Sequence, residues 1–191
     1  MISIKKVLIV LTISLITIAA VSAQNLYWEN PEEITETDTR FPSAVSNPVK
    51  GKASAFFWEE VDKERNRIYI SAQTTTDGIT WRDDRGLKRF IGPINYSGEV
   101  PDVYSSAVNK KGTIAVAALT NTKEITVSIS EDGRGFKKKI INNFEQPLVA
   151  PRIYATHNGG FILFASMGMN DSFKLYYTVS PNGSTWEDFK E

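Results

Sequence analysis

Apolar and polar positions along this chain alternate in short runs, and from Gln24 onward no helical periodicity is present. Runs rich in β-branched and aromatic residues (Ala53–Glu59, Arg67–Thr74, Thr113–Leu119, Glu124–Ile129, Phe161–Ala165, Phe173–Val179) are divided by Gly/Asn/Asp/Pro turns. Period-two runs between turn residues read as strands. The pattern predicts an all-β protein with no helix longer than a turn. Thr113–Leu119 is apolar throughout, as expected of a strand covered on both faces.

One turn recurs. Thr75-Thr76-Asp77-Gly78-Ile79-Thr80-Trp81 is followed by Ser130-Glu131-Asp132-Gly133-Arg134-Gly135-Phe136 and by Ser180-Pro181-Asn182-Gly183-Ser184-Thr185-Trp186. Positions 77, 132 and 182 are 55 and then 50 residues apart, a period that marks repeated supersecondary units. Glycine supplies positive φ, and Asp or Asn before it can bond the turn's own amides. Thr75, Ser130 and Ser180 offer a second local hydrogen bond. Trp81, Phe136 and Trp186 are expected to fold back as plugs between neighbouring sheets. Truncating such a plug costs about 3–5 kcal/mol where it is fully buried. On this chemistry Asp77, Asp132 and Asn182 read as scaffold, although two of them could be mistaken for catalytic carboxylates.

Each unit offers four strand slots. The first has Phe41–Ser46, Ala53–Glu59, Arg67–Thr74 and Leu87–Ile91, with a charged loop at Val61–Asn66. The second has Val103–Val108, Thr113–Leu119, Glu124–Ile129 and Lys137–Ile141. The third has Arg152–Thr156, Phe161–Ala165 and Phe173–Val179, and the chain stops at Glu191, five residues after Trp186. Four-stranded antiparallel units at this period are blades of a β-propeller. The expected architecture is an incomplete ring of about three blades, with boundaries at 36–92, 93–143 and 144–191.

Composition and charge narrow the partners. Residues 1–23 carry Lys5 and Lys6, an apolar run from Val7 to Ala20 and a small-residue end at Val21-Ser22-Ala23. That order predicts a cleavable secretory signal cut after Ala23, the alternative being an uncleaved anchor. The chain has no cysteine, so no disulfide staples the fold, and a secreted or periplasmic location is expected. Loss of Lys5 and Lys6 leaves a net charge of −2, which gives no reason to expect nucleic acid or a membrane surface as partner. Lys137-Lys138-Lys139 falls where an outer edge strand would lie, where lysines block edge pairing. No cofactor is expected: neither a His/Cys/carboxylate cluster nor a glycine loop leading into a helix is present in the sequence.

The recurrent turn resembles the Asp-box (BNR) repeat, and residues 24–191 resemble part of a sialidase-like propeller. All three copies lack one residue of the commonest spacing, the third has Asn for Asp, and the second has Phe for Trp and Gly for Thr. The resemblance implies a ring of roughly six blades. The chain would then span its N-terminal half, with C-terminal blades or self-association closing the ring. Residues 24–35 resemble the strand that follows an Asp box, which implies a closing strand. Unpaired edges at both ends predict poor solubility alone.

Blade topology puts His157 in a turn on the Asp-box face and gathers polar residues at the opposite mouth. Arg40, Asp102 and Arg152 are expected at the starts of innermost strands, with Tyr104 inside the rim. Glu59, Glu60, Asp62 and Asp171 are expected in the loops between second and third strands. Convergent arginines suit an acidic sugar, because a guanidinium pairs with a carboxylate through two hydrogen bonds. Arg40-Phe41-Pro42 is similar to the sialidase R-I-P motif, which implies a carboxylate-gripping Arg40, and Asp62 is the nearest candidate for the family's acid. The competing reading makes this an ordinary blade start. Three functions follow: a propeller that binds glycans or a surface protein, the N-terminal part of an exo-sialidase or related glycoside hydrolase, and a structural envelope propeller.

Overall fold

Short strands cannot satisfy their own backbone groups, and here each folds back on the one before it. In the computed structural model, residues 38–84, 86–95, 103–141, 144, 147–169 and 172–191 are described, all within the compact unit Thr37–Glu191. The signal segment and the closing strand expected at 24–35 lie outside these residues, as do Asp102 and Asp171. The first sheet has the order β1 (Thr39–Val45), β2 (Ser54–Asp62), β3 (Arg67–Thr75), β4 (Ile91–Asn95). The second has the order β5 (Tyr104–Val108), β6 (Ile114–Asn121), β7 (Glu124–Ser130), β8 (Lys137–Ile141). The third contains β9 (Leu148–Ala155), β10 (Phe161–Met169) and β11 (Ser172–Ser180). After the last turn the chain returns along β11, where Lys190 and Tyr177 exchange two backbone hydrogen bonds of 2.8 Å. Every pairing is antiparallel, and no helix occurs among the described residues. Over the described residues the protein is an all-β propeller arc of three blades, with the ring open.

Two cores hold the blades together. Ala55, Phe57, Ile70 and Ala72 of the first blade meet Ile114, Val116 and Ala118 of the second. Ala115, Ala117 and Val127, on the other face of the second blade, meet Ile153, Phe161, Leu163 and Ala165 of the third. So β6 is apolar from Ile114 to Leu119 because alternate side chains enter different cores. Its three alanines let both neighbouring sheets approach closely.

Three expectations change. The fourth strand of the first blade is Ile91–Asn95, not Leu87–Ile91. Leu87 lies in a turn, with its carbonyl accepting from Ala72 N and its side chain fully buried, so its apolar character reflects core filling. The segment Val61–Asn66 is not all loop: β2 runs through Asp62, which places Glu59, Glu60 and Asp62 on a strand. Trp81 is not a buried plug; it is 43% exposed, whereas Phe136 and Trp186 pack against the first and second cores. Phe136 sits 4.7 Å from Phe90 and 6.0 Å from Phe57, ring centre to ring centre. A turn aromatic therefore seats on the preceding blade, and among the described residues no blade precedes the first.

Candidate functional site

The three turns share one hydrogen-bond scheme. Gly78, Gly133 and Gly183 have φ of 78°, 75° and 82°, and each donates its N–H to the hydroxyl of Thr75, Ser130 or Ser180 at 2.7–2.9 Å. Asp77 Oδ1 accepts from the amides of Ile79 and Thr80, both at 2.8 Å. Asn182 Oδ1 accepts from Ser184 and Thr185 at 2.9 and 3.0 Å, and Asp132 from Arg134 at 2.9 Å. These amide donors lower the pKa of Asp77 from 3.8 to about 2 and also lower that of Asp132. Trp186 closes its turn with an indole N–H to Gly183 O at 2.9 Å.

The concave side of the arc is built from β1, β5 and β9. Phe41 and Ala150 both have φ of 50° and both precede a proline, Pro42 and Pro151. A residue before proline is pushed away from the helical region, and left-handed backbone costs a non-glycine residue about 1–2 kcal/mol. Register shifts sit at the same places, between Arg40 and Ser43 and opposite Phe164–Ser166. Such bulges re-aim the side chains around them. In β5, Tyr104 fills the equivalent place, and its hydroxyl donates to Phe41 O at 2.6 Å.

Beside these bulges lies a groove of about 370 Å³, lined by Phe41, Ser43, Tyr104, Ser106, Arg152 and Tyr154 among others. Its serines are engaged in joining blades. Ser43 and Ser106 hydroxyls are 2.7 Å apart, and Ser105 Oγ accepts from Ile153 N at 2.7 Å. Arg152 donates from Nη1 to Pro151 O at 3.1 Å and is among the residues that line the groove. Tyr154 is exposed and packs edge-on to Phe164 at 6.1 Å. The described residues of the groove are thus aromatic, serine, proline and isoleucine side chains and the Arg152 guanidinium, with no carboxylate among them.

The residues singled out in the sequence do not all converge. Tyr104 and Arg152 line the groove; Arg40 and Asp62 do not. Arg40 Nε donates to Glu59 Oε2 at 2.6 Å, and its guanidinium lies 5.1 Å from the Phe41 ring centre. Glu59 is fully buried and also accepts from Val103 N at 3.2 Å. Arg40 and Arg152 do not occupy matching positions: ladder register puts Arg152, opposite Phe164, level with Ser43 and Ser105. The two bulges, rather than the count of residues from each blade start, decide which side chain reaches the groove. Asp62 accepts from Arg65 N at 3.1 Å and ties down the turn at 63–66. Glu60 is held by Ser71 Oγ at 2.6 Å and Arg89 Nε at 2.8 Å. His157 is exposed in the turn after β9, and the three lysines lie exposed on β8. No group of residues with metal-ligating side chains occurs among those described.

Sequence reasoning missed Asn47 and Asn109. Each follows the first strand of its blade and reaches forward, Asn47 to Gly112 O at 3.0 Å and Asn109 to Gly159 O at 2.7 Å. The signal was an Asn at the same ladder position in two units, masked because the third has Thr156 there.

No family model and no curated protein matches the chain. Among solved structures, a GH43 endo-arabinanase from Bacillus licheniformis is similar over 75% of this chain and 52% of its own, at 17% identity and a TM-score of 0.44. An N-acetylgalactosamine deacetylase from F. plautii, in complex with blood group B trisaccharide, is similar over 78% of this chain and 51% of its own. Its identity is 14% and its TM-score 0.45. The chain spans about half the length of both.

Proposed function

We propose that this protein is a secreted or periplasmic sialidase-like propeller, its turns being Asp boxes, that binds carbohydrate in the groove along its inner strands. The observation that carries this reading is the lining of that groove: the exposed aromatic side chains of Phe41 and Tyr154 beside the Arg152 guanidinium. Aromatic walls with a few placed polar groups suit a sugar ring. A guanidinium adds a fork for a sugar carboxylate, so an acidic sugar is the favoured ligand. Binding is put before hydrolysis because the carboxylates of the first blade, Glu59 and Glu60, are buried in ion pairs with Arg40 and Arg89.

The test is retention on a glycan array, followed by titration with N-acetylneuraminic acid, glucuronic acid and galactose. Acidic sugars should bind, and Arg152→Ala should weaken them by roughly tenfold to a hundredfold, the worth of a charged hydrogen bond. Absence of binding to acidic and neutral sugars alike would sink the proposal. A fluorogenic sialoside should stay intact, and its cleavage would favour the hydrolase reading instead.

A further inference from the structure

We propose that the inner turns of the blades form a binding surface for an anionic polysaccharide, separate from the groove. Three turns follow the innermost strands: residues 46–53 after β1, 109–113 after β5 and 156–160 after β9. They carry Lys50 and Lys52, then Lys110 and Lys111, then His157, and no carboxylate. Asp77, Glu131 and Asp132 stand instead in the outer turns that follow β3 and β7. At this end of the arc, then, positive charge gathers along the inner rim and negative charge lies outside it.

Each inner turn is fastened to the next, which fixes the spacing of the row. Asn47 Nδ2 donates to Gly112 O at 3.0 Å, and Asn109 Nδ2 to Gly159 O at 2.7 Å. Lys52 Nζ donates to Lys111 O at 2.7 Å, and its stem crosses Gly112 where a Cβ would otherwise stand. The stems of Lys110 and Lys111 lie over Gly159 in the same way. Gly112 and Gly159 have φ of 79° and 84°, so a turn conformation that favours glycine also makes room for the lysines. A lysine whose stem is already laid down loses less rotamer freedom on meeting an anion. Lys50, Lys110 and Lys111 are exposed, and none of the four lysines is in an ion pair among the described residues.

Ammonium groups repeated on neighbouring blades suit a partner whose negative charge is repeated as well, a polymer rather than one small anion. Two classes of polymer carry such charge. Proteins that hold single-stranded nucleic acid add aromatic side chains on which bases stack, and no Phe, Tyr or Trp occurs in the three inner turns. Arginine, the usual reader of base edges, is absent from them too. A sugar chain bearing sulfate, phosphate or carboxylate groups needs neither, because a lysine meets each group as a point charge.

Surface plasmon resonance of the full chain over immobilised heparin tests this, with single-stranded DNA and neutral dextran on parallel surfaces. Heparin should retain the protein and lose affinity at least about tenfold between about 50 and about 200 mM salt, since such contacts are driven by counterion release. Lys110→Gln combined with Lys111→Gln should weaken heparin binding at least about tenfold. Lys138→Gln combined with Lys139→Gln removes the same charge from β8 and should change it by less than about twofold. Lys50→Gln alone should weaken it by about two- to fivefold, and keeps the test open should the double variant fail to fold. Circular dichroism of each variant should match the parent. No retention on heparin, equal losses from the two lysine pairs, or tighter binding to DNA than to heparin would each overturn the proposal. Titration of the inner-turn variants with N-acetylneuraminic acid should match the parent, so the groove reading stands or fails separately.

Discussion

Gly78, Gly133 and Gly183 hold the same left-handed conformation, but they differ in what lies where a Cβ would be. At Gly133 the added atom would come within 2.5 Å of Ala53 Cβ, and at Gly78 it would meet open space. Gly78→Ala should therefore cost only the backbone penalty, about 1–2 kcal/mol. Gly133→Ala should add roughly 1–3 kcal/mol of overpacking at the joint between the first two blades. Urea denaturation of the two variants reads the difference, and equal losses would mean that the second turn does not seat on the first blade. Asp77 gives a second test at this scale. Its folded pKa of about 2 lies below the ordinary 3.8, so its contribution is present above the ordinary value and is lost as pH falls towards the folded one. Asp77→Asn keeps the accepting oxygen and removes the titration, as Asn182 already does in the third turn. The variant should lose less stability than the parent between pH 4 and 2, and unchanged acid sensitivity would remove Asp77 from the cause.

Strands and turns were legible to different depths. The strands of the second blade were readable almost to the residue, because Thr113–Leu119 and Glu124–Ile129 are runs with clear turn residues on either side. The fourth strand of the first blade was not, because Leu87, Phe90 and Ile91 are all apolar for burial while regular pairing starts only at Ile91. The bulges escaped too: a proline after Phe41 or Ala150 is visible, but the left-handed backbone that re-aims Arg152 is not. The turn aromatics were recognisable as a set, though their burial depends on a neighbouring sheet rather than on the local motif. That dependence is measurable. Phe136→Ala removes a ring packed against Phe57 and Phe90 and should cost about 2–4 kcal/mol, below the full value for a wholly buried ring. Trp81→Ala, at a ring that is 43% exposed, should change stability by less than about 0.5 kcal/mol. Matching losses would contradict the forward-seating joint that orders the blades.

At the scale of the whole arc, the question is whether Arg40 grips a ligand or holds two blades together. Its Nε pairs with Glu59, a carboxylate with no exposure, whose second oxygen takes the backbone N–H of Val103 from the next blade. The ion pair therefore spans β1 and β2 while its acceptor reaches across the joint to the residue before β5. Removing one partner of a buried pair leaves an uncompensated charge and costs about 3–5 kcal/mol. That is a large share of the roughly 5–15 kcal/mol by which a domain is stable. Arg152 stands in a different position, at the groove wall on the third blade, where its loss should cost less stability than that of Arg40. Arg40→Ala should thus shift the denaturation midpoint sharply, while its folded fraction should keep the parent's affinity for an acidic sugar. Arg152→Ala should do the reverse. If Arg40→Ala weakened binding and spared stability, the resemblance to a substrate-gripping arginine would be functional, and the Glu59 pair would be only its resting partner.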